Sequence, residues 1–399
     1  MRTNSVRAAC ALIAVGLVIG GCGSESAATT TADTAVDPNT LEVGNYPTKP
    51  HDYGAAKNYD QARIVEAERL ANFVPTPREI DPRFEYAPHF SSKIFFDPKT
   101  SDLHWAIKLD EFDTVAPDFI TGFVSFGSSA QDNRGTDLMN VIMEFPDEQH
   151  ATDAAVALER SDFEAAAAAN QPVAIPKYPA AKAHWRPIQQ SIGSFFATGK
   201  LVVYSWVYDY RKIFLDEQDL PALVTLVTQS LDKMVPALSE FVPTPPAQLM
   251  SAQLDLDGML GRTLPRLDAD FNLNPPGAYR ARGAEHFSSA PAQEVPKFQR
   301  AGVDRFAVDS AEVYRTADAA AAQQLRDELV GPSRKFRSAP APKNLPQARC
   351  QEYLGRDKSA IRFYCAVAYD RYTGYTWSDQ LNDVQQRISA QYALLVNAK

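Results

Sequence analysis

Two cysteines near the end of the chain, Cys350 and Cys365, have the spacing of a disulfide-bonded β-hairpin. Folding the segment between them about Asp357-Lys358 places the two cysteines opposite each other. Directly opposed residues of antiparallel strands have Cα atoms about 4.5–5.5 Å apart, a distance that a disulfide can bridge. We therefore predict a Cys350–Cys365 disulfide, formed in an oxidising compartment. A metal or redox site is the alternative, but no nearby Cys or His completes a ligand set.

A third cysteine, Cys22, predicts lipid attachment. Two arginines precede an almost entirely apolar run, residues 8–20, which ends at Gly20-Gly21-Cys22. Such a run is typical of a secretory signal peptide and is too short to span a bilayer comfortably. The small residues before Cys22 are similar to the bacterial lipobox, in which the cysteine sulfur is diacylated and the cysteine becomes the first mature residue. We predict a signal peptide over residues 1–21 and lipidation of Cys22; an ordinary signal peptide with a chance cysteine is the alternative.

Aromatic side chains are concentrated in two segments that we predict to be strands. Residues 202–210 read Val-Val-Tyr-Ser-Trp-Val-Tyr-Asp-Tyr, so that the rings share one face of a strand of period two. Amphipathic rings on an open cleft wall bind sugars, lipids or peptides, and we expect such a cleft between two domains. The alternative is a sheet whose tyrosine hydroxyls simply reach solvent. The predicted ligand-binding residues are Tyr204, Trp206, Tyr208, Tyr372, Tyr375 and Trp377.

Catalytic and metal-binding motifs receive little support. Gly122 is one position too far from Ser125 for a nucleophile elbow. The segment that begins at Asp255 has neither the glycine at the sixth position nor the acid at the twelfth position that an EF-hand calcium loop requires. A tight turn explains its Asp-Gly pair instead. The six histidines show no zinc-binding spacing. We predict no catalytic residue, metal or cofactor.

Composition restricts the class of protein further. Hydrophobic residues make up 45% of the chain and charged residues 22%, which is ordinary for a globular protein. The net charge is −9, without a block of Lys and Arg. Nucleic acid is therefore not expected as a partner, because phosphate binding needs clustered cations. The same charge argues against electrostatic adhesion to anionic lipid, so that the lipid on Cys22 must attach the protein to the membrane.

The chain shows signs of an internal duplication. Residues 22–40 are small, polar and without periodicity, and we predict a flexible tether. The sequence Phe-Val-Pro-Thr-Pro at residues 73–77 recurs at residues 241–245, and His-Phe-Ser-Ser at residues 89–92 recurs at residues 286–289. The repeated His-Phe-Ser-Ser fits a binding feature or, more simply, a turn. We predict two domains, residues 41–240 and 241–399.

Each half has the same predicted order of elements. A strand is expected at 138–145 and at 303–314, followed by a helix capped by Asp147 or by Thr316. A β-hairpin and an amphipathic helix follow in each half, with the last helices beginning behind Asp219 and Ser378. The predicted fold class is α+β, with two similar units, each an antiparallel sheet with helices packed on one face.

Two segments resemble those of a known family. Residues 41–48, Leu-Glu-Val-Gly-Asn-Tyr-Pro-Thr, and residues 255–265, Asp-Leu-Asp-Gly-Met-Leu-Gly-Arg-Thr-Leu-Pro, are similar to two signatures of an actinobacterial family of secreted lipoproteins with a duplicated domain of unknown function. The resemblance covers essentially the whole mature chain. It implies the lipoprotein location and the two-part architecture, and no activity or catalytic residue comes with it.

The sequence as a whole predicts a lipid-anchored protein on the extracytoplasmic face of the cell membrane. We expect a non-enzymatic module that binds a small ligand or another envelope protein. Two rivals remain: an envelope hydrolase that uses scattered carboxylates, and a carrier of lipid or glycolipid. A hydrolase requires carboxyl groups that converge in a pocket, and a carrier requires a long apolar cavity.

Overall fold

The first half of the chain forms an antiparallel seven-stranded sheet with helices before, between and after its strands. The computed structural model describes residues 35–87, 92–99, 101, 103–132, 134–267, 275–331, 333–357 and 360–398. The elements of the first half are α1 (Tyr59–Ala71), α2 (Pro77–Ile80), β1 (Lys93–Phe95), α3 (Phe112–Val115), β2 (Thr121–Ser128), β3 (Thr136–Glu144), α4 (Glu148–Ala165), β4 (Gln171–Val173), β5 (Lys182–Arg186), β6 (Ser191–Thr198), β7 (Leu201–Asp209), α5 (Tyr210–Phe214) and α6 (Leu220–Leu238).

The second half repeats this arrangement. Its elements are β8 (Gly277–Arg280), α7 (Ala281–Glu285), α8 (Pro291–Arg300), β9 (Arg305–Val308), β10 (Glu312–Arg315), α9 (Ala319–Leu329), β11 (Phe336–Ala339), β12 (Arg349–Tyr353), β13 (Phe363–Tyr369), β14 (Tyr372–Ser378) and α10 (Leu381–Asn397). The strand order is β1-β2-β3-β7-β6-β5-β4 in the first sheet and β8-β9-β10-β14-β13-β12-β11 in the second. Counted from the first strand of each half, the two orders are identical, and the predicted order of strand, helix, hairpin and helix occurs in both.

The local sequence explains where the central helices begin. The Asp147 carboxylate accepts a hydrogen bond from the backbone N–H of His150, and Asp219 caps α6 in the same way. In the second half two predicted caps are wrong. Asp318 rather than Thr316 caps α9, and α10 begins behind Gln380 without a side-chain cap.

One predicted strand is a hairpin. The segment 303–314 contains β9 and β10, which pair with each other through a turn at Asp309-Ser310. The segment was predicted as one strand because the apolar alternation continues on both sides of the turn. Asp and Ser are common turn residues because their side chains bond to the nearby backbone.

The prediction of two α+β units with antiparallel sheets is confirmed, but helices contact both faces of each sheet rather than one. On β7, Val202 and Tyr204 pack against α4, whereas Val203 and Val207 pack against α6. In the second half, Thr373 of β14 donates a hydrogen bond to a carbonyl of α9, and the backbone of the next residue lies against α10. The physical reason is that the central strands are apolar on both sides, which requires cover on both faces.

The two halves share one hydrophobic core. Residues 36–399 form one compact unit, and a single core cluster contains Phe123 and Leu226 of the first half with Phe298 and Phe306 of the second. Helix α1 also covers the outer edge of the second sheet. Its residues Glu68 and Asn72 accept hydrogen bonds from the backbone N–H groups of Ala278 and Arg280 in β8, at 3.3 and 2.7 Å. This contact protects an edge strand from pairing with another chain.

The predicted signal peptide, residues 1–21, and Cys22 lie outside the described residues. Within the part that the structure describes, no helix is both long enough and apolar enough to cross a membrane.

Candidate functional site

The predicted disulfide is confirmed. Cys350 of β12 and Cys365 of β13 are paired directly across the two strands, with Cα atoms 4.1 Å apart and a bond between their sulfur atoms. The period-two pattern of the sequence was sufficient to fix this register.

The register also aligns the aromatic residues of the two halves. A tight turn joins β6 to β7 between Thr198 and Leu201, and an equivalent turn joins β13 to β14 between Tyr369 and Tyr372. Leu201 and Tyr372 are the first residues after these turns. Tyr204 and Tyr375 are each three residues further along, and Trp206 and Trp377 are each five residues further along. The two predicted ligand-binding strands are therefore equivalent strands of the duplicated fold.

In the first half, the predicted ligand-binding residues are mostly covered. Tyr204 is 0% exposed, stacks on Phe195, and donates a hydrogen bond from its hydroxyl to the Ala106 carbonyl, so that it is a core residue and not a ligand contact. Trp206 is 8% exposed, and its ring lies 5.0 Å from that of Trp105, which is 50% exposed. Tyr208 is half-buried beside Trp206.

A long helix covers this part of the first sheet. Near the end of α4, Glu159 and Asp162 accept hydrogen bonds from the two ring nitrogens of His184 in β5, at 3.0 and 3.2 Å. Asp162 also lies beside the backbone of Gly193, next to Tyr204. Helix α4 has 18 residues, whereas the equivalent helix α9 has 11 and ends before the positions that match Glu159 and Asp162. The second sheet therefore lacks this cover at the equivalent place.

The second sheet presents a continuous aromatic surface there, which we call the aromatic face. All five of its rings are half-buried, and each ring centroid lies 5.3–6.0 Å from a neighbour in the set. Its members, from four adjacent strands, are Phe336, Tyr353, Tyr364, Tyr375 and Trp377. The Tyr364 and Tyr375 rings are nearly parallel, with an interplanar angle of 14°. Two predicted ligand-binding residues, Tyr375 and Trp377, thus lie together on a partly open surface.

Tyr372 does not belong to this surface. Its side chain lies on the opposite face of β14, where the Arg262 guanidinium is 5.2 Å from the ring centroid. The prediction that placed Tyr372 with Tyr375 and Trp377 is wrong because positions separated by three residues point to opposite faces of a strand.

A polar group without a partner lies within the aromatic face. Gln351 of β12 is paired across the sheet with Ser338 on one side and with Tyr364 on the other. Its side chain is 6% exposed, and among the described residues its Oε1 accepts no hydrogen bond. A buried acceptor without a donor costs free energy, so that such groups generally have a partner in the functional state. In the first half the matching residue is His184, which has two partners.

A buried carboxyl group lies at the inner end of the aromatic face. Glu312 of β10 is paired with Tyr375 and accepts a hydrogen bond from the Tyr314 hydroxyl at 2.7 Å. Burial raises the pKa of Glu312 to about 7, against the effect of that hydrogen bond. Burial also raises the pKa of Tyr364 to about 12, with a smaller contribution from Tyr353. The Tyr364 hydroxyl thus stays protonated and able to donate a hydrogen bond at neutral pH.

The expected cleft between the halves is not where the aromatic residues lie. A cavity between the halves has a volume of only 10 Å³ and is lined by Thr76, Phe84, Phe126 and His286, among others. The two halves are tightly packed at this contact. None of the six predicted ligand-binding residues lines this cavity.

The two segments that carry the family resemblance meet on α10. The Tyr46 hydroxyl donates a hydrogen bond to Asp383, and the amide of Gln391 bonds to backbone groups of Arg262 and Leu264. An open groove of 610 Å³ lies beside them. The Asp255 carboxylate at its edge accepts hydrogen bonds from two backbone N–H groups, so that this carboxylate closes a turn.

The remaining motifs have structural roles. Ser125 lies in the middle of β2 and is fully buried, which is incompatible with a nucleophile on an exposed turn. His286 is buried and bonds through Nε2 to the Val74 carbonyl, while His89 lies outside the described residues. Among the described residues, no group of three or more His, Cys, Asp and Glu has positions that could hold a metal ion.

Phe336, Tyr353, Tyr364 and Gln351 were not among the predicted site residues. The positions of Gln351, Tyr353 and Tyr364 in the hairpin carried the signal, whereas Phe336 lies outside the hairpin, in β11. Once Cys350 is placed opposite Cys365, the period of two puts Gln351, Tyr353 and Tyr364 on the other face of the same strands.

Comparison with known proteins gives a family without an assigned function. Residues 53–254 match the model described as domain of unknown function (DUF7373) N-terminal, and residues 259–398 match its C-terminal counterpart. No protein with curated annotation matches the chain significantly. A solved structure, the extracellular domain of PknH from Mycobacterium tuberculosis, aligns over 42% of this chain and 95% of its own with 12% identity and a TM-score of 0.29, which is too low to carry an argument. On the two family matches, the chain belongs to the DUF7373 family.

Proposed function

We propose that this protein is a non-enzymatic, lipid-anchored binding protein of the cell envelope, and that its ligand binds on the aromatic face. The observation that carries this proposal is the orphaned Oε1 of Gln351 within a surface of five partly open rings. Rings supply apolar contact area at low entropic cost, and the buried acceptor supplies a directional hydrogen bond. Together they provide the two components of a typical ligand site.

The Cys350–Cys365 disulfide supports a location outside the cytoplasm, since structural disulfides persist in oxidising compartments. Anchoring depends on the predicted lipidation of Cys22. Changing Cys22→Ser in the full chain should release the protein from membranes into the soluble fraction. A variant that remains membrane-bound to the same extent as the wild type would contradict the anchor.

Binding is testable through the tryptophan at the edge of the aromatic face. We expect the fluorescence of the wild type to change with one or more of four probes: cellohexaose, alginate, poly-glutamate and phosphatidylglycerol vesicles. Trp377→Phe should remove that change, whereas Trp105→Phe, which alters an exposed ring in the other half, should preserve it. Calorimetric titration of Tyr364→Ala should show weaker binding of the same probe.

Two results would contradict this site. If no probe produces a fluorescence change that depends on Trp377, or if Tyr364→Ala binds the probe as tightly as the wild type does, the aromatic face is not the binding site.

The structure gives less support to the two rival functions. The carboxyl groups with a clearly raised pKa, such as Asp137, Glu144 and Glu312, each lie in a different environment and not in one open pocket. The groove of 610 Å³ has charged residues in its lining, among them Lys49, Asp52 and Arg262, which does not suit an acyl chain.

A further inference from the structure

Positive charge is concentrated in the part of the chain that builds the aromatic face. Residues 333–379, which include β11 to β14, contain nine Lys or Arg and four Asp or Glu. This segment therefore carries a formal net charge of +5, whereas the whole chain carries −9. A local excess of cations in an acidic protein favours an anionic ligand at that place.

The cations lie at the end of the sheet where most of the rings are found. Arg334 and Lys335 directly precede Phe336 at the start of β11, and the Lys335 carbonyl accepts a hydrogen bond from the N–H of Leu354, just after Tyr353. Arg356 follows in the turn between β12 and β13. All three side chains are exposed, and none forms an ion pair with another described residue.

Two further arginines at the same end share a single carboxylate. Arg337 and Arg362 both bond to the carboxylate of Glu352, at 2.7 Å each. Their charges lower the pKa of Glu352, mainly through the hydrogen bond from Arg362. We call the three exposed cations at this end that form no ion pair with another described residue, Arg334, Lys335 and Arg356, the cationic rim.

Resting on the proposed function, we infer that the ligand of the aromatic face is a polysaccharide that carries carboxylate or phosphate groups. The C–H face of a sugar ring packs on the phenol and indole rings. A sugar hydroxyl donates the hydrogen bond that Gln351 Oε1 lacks, after the surrounding side chains shift to expose this buried oxygen. The anionic groups of the polysaccharide pair with the cationic rim at the end of the sheet.

The polar groups of the surface favour a polysaccharide over a lipid. An acyl chain has no donor for Gln351 Oε1, which would stay buried without a hydrogen bond, whereas a sugar hydroxyl removes that free-energy cost. Three tyrosines and a tryptophan among the five rings also supply polar edges that a hydrocarbon chain does not use. An acidic peptide and an anionic vesicle are therefore treated as competing outcomes of the test.

The experiment compares alginate with neutral cellohexaose on the full chain and on Arg334→Ala/Lys335→Ala. Alginate should bind the wild type more tightly than cellohexaose does, and its affinity should fall as salt rises because surface charges are screened. The double variant should bind alginate about fivefold more weakly, as expected for the loss of two exposed charges. Its binding of cellohexaose should not change. Arg160→Ala/Lys233→Ala, which removes two exposed charges of the first half that form no ion pair with another described residue, is the matched control.

The outcomes separate this inference from the proposed function. Equal binding of both sugars, or an unchanged affinity of the double variant for alginate, overturns the anionic polysaccharide while the binding face stands. Tighter binding of poly-glutamate or of phosphatidylglycerol vesicles than of alginate also overturns it. If no probe binds in a manner that depends on Trp377, the proposed function itself fails. Because all four changed cations are exposed, the variants are expected to fold.

Discussion

Glu144 is a buried acidic residue in an unfavourable environment. It lies at the end of β3, is 0% exposed, and neither of its carboxyl oxygens accepts a hydrogen bond from any described residue. Burial, and then the nearby charge of Glu66, raises the pKa of Glu144 to about 8. The matching residue of the second half is Arg315, which pairs with Asp304 at 2.8 Å. The duplicated position therefore holds an ionisable residue in both halves but gives it hydrogen-bond partners among the described residues in only one.

We predict that Glu144→Gln stabilises the protein at neutral pH. The folded-state pKa of Glu144 is above the unfolded value of 4.5, so that the folded state holds the proton and its stability falls as pH rises from 4.5 to about 8. The amide removes this titration, with an expected gain on the order of 3 kcal/mol at pH 7. Urea unfolding at both ends of this pH range measures the difference in the free energy of unfolding between the wild type and Glu144→Gln. The exposed Glu164→Gln is the control. Parallel pH profiles for the wild type and Glu144→Gln would contradict the prediction.

The pair of acids around His184 predicts a second pH effect. Burial lowers the pKa of His184, but the hydrogen bonds and charges of Asp162 and Glu159 outweigh burial, and the net direction is upward. The free energy that this contact contributes to folding is therefore fully present below the pKa that His184 has in the unfolded chain. It is lost as the pH rises through the higher pKa that His184 has in the folded protein. Asp162→Asn should lower the His184 pKa in an NMR titration. It should destabilise the protein by about 1–3 kcal/mol at acid pH and by less at alkaline pH. A loss of stability that is the same at all pH values would contradict this account.

At the scale of elements, the two hairpins β5–β6 and β12–β13 show that the disulfide is an addition to a shared structure. Ala183 and Ser194 occupy the cross-strand positions that Cys350 and Cys365 occupy in the second half. The first hairpin forms the same register without a covalent bond. Packing and strand pairing are thus sufficient to define the hairpin.

We therefore expect Cys350→Ala/Cys365→Ser, which copies the residues of the first half, to fold with the same register. Closing a loop over a sequence separation of 15 contributes at most about 3 kcal/mol in the chain-entropy model, and less when the strands are already neighbours. The midpoint of urea unfolding should fall accordingly, while the near-ultraviolet circular dichroism spectrum keeps its shape. Loss of that spectrum in the absence of urea would show that the bond is required for folding.

At the scale of the whole molecule, the shared core makes the halves interdependent. Tyr279 of β8 is fully buried in the same cluster as Leu70 and Val74 of the first half. Burying apolar surface contributes about 25 cal/mol per Å², so that separating the halves exposes surface that neither can cover alone. The α1 contacts with β8 would also be lost, which would expose a strand edge.

We predict one cooperative unfolding transition for residues 36–398 and poor folding for residues 36–240 or 241–398 expressed alone. The single transition should appear in calorimetry as equal calorimetric and van't Hoff enthalpies. The isolated segments should show poorly dispersed amide spectra or self-association. A well-dispersed spectrum for either isolated segment would show that each half is an independent domain.

Much of the local structure follows from residues that are close together in the chain. Period-two alternation and two cysteines fixed the β12–β13 register, and Asp147 and Asp219 fixed the starts of α4 and α6, because these features depend only on nearby residues. The turn at Asp309-Ser310 was missed because the apolar pattern continues across it. The equivalent order of elements in the two halves was also readable from the sequence.

The aromatic residues that a ligand can reach are set by packing between elements that are distant in the chain. Tyr204 and Tyr375 have the same residue type and the same place in the duplicated sheet, yet Tyr204 is fully buried and Tyr375 is half-buried. Tyr204 is covered by α4 and by the segment at Ala106, to whose carbonyl its hydroxyl donates a hydrogen bond, whereas the shorter α9 ends before the place equivalent to the end of α4. Alternation along a strand specifies a face, but the exposure of that face depends on a helix that is distant in the sequence.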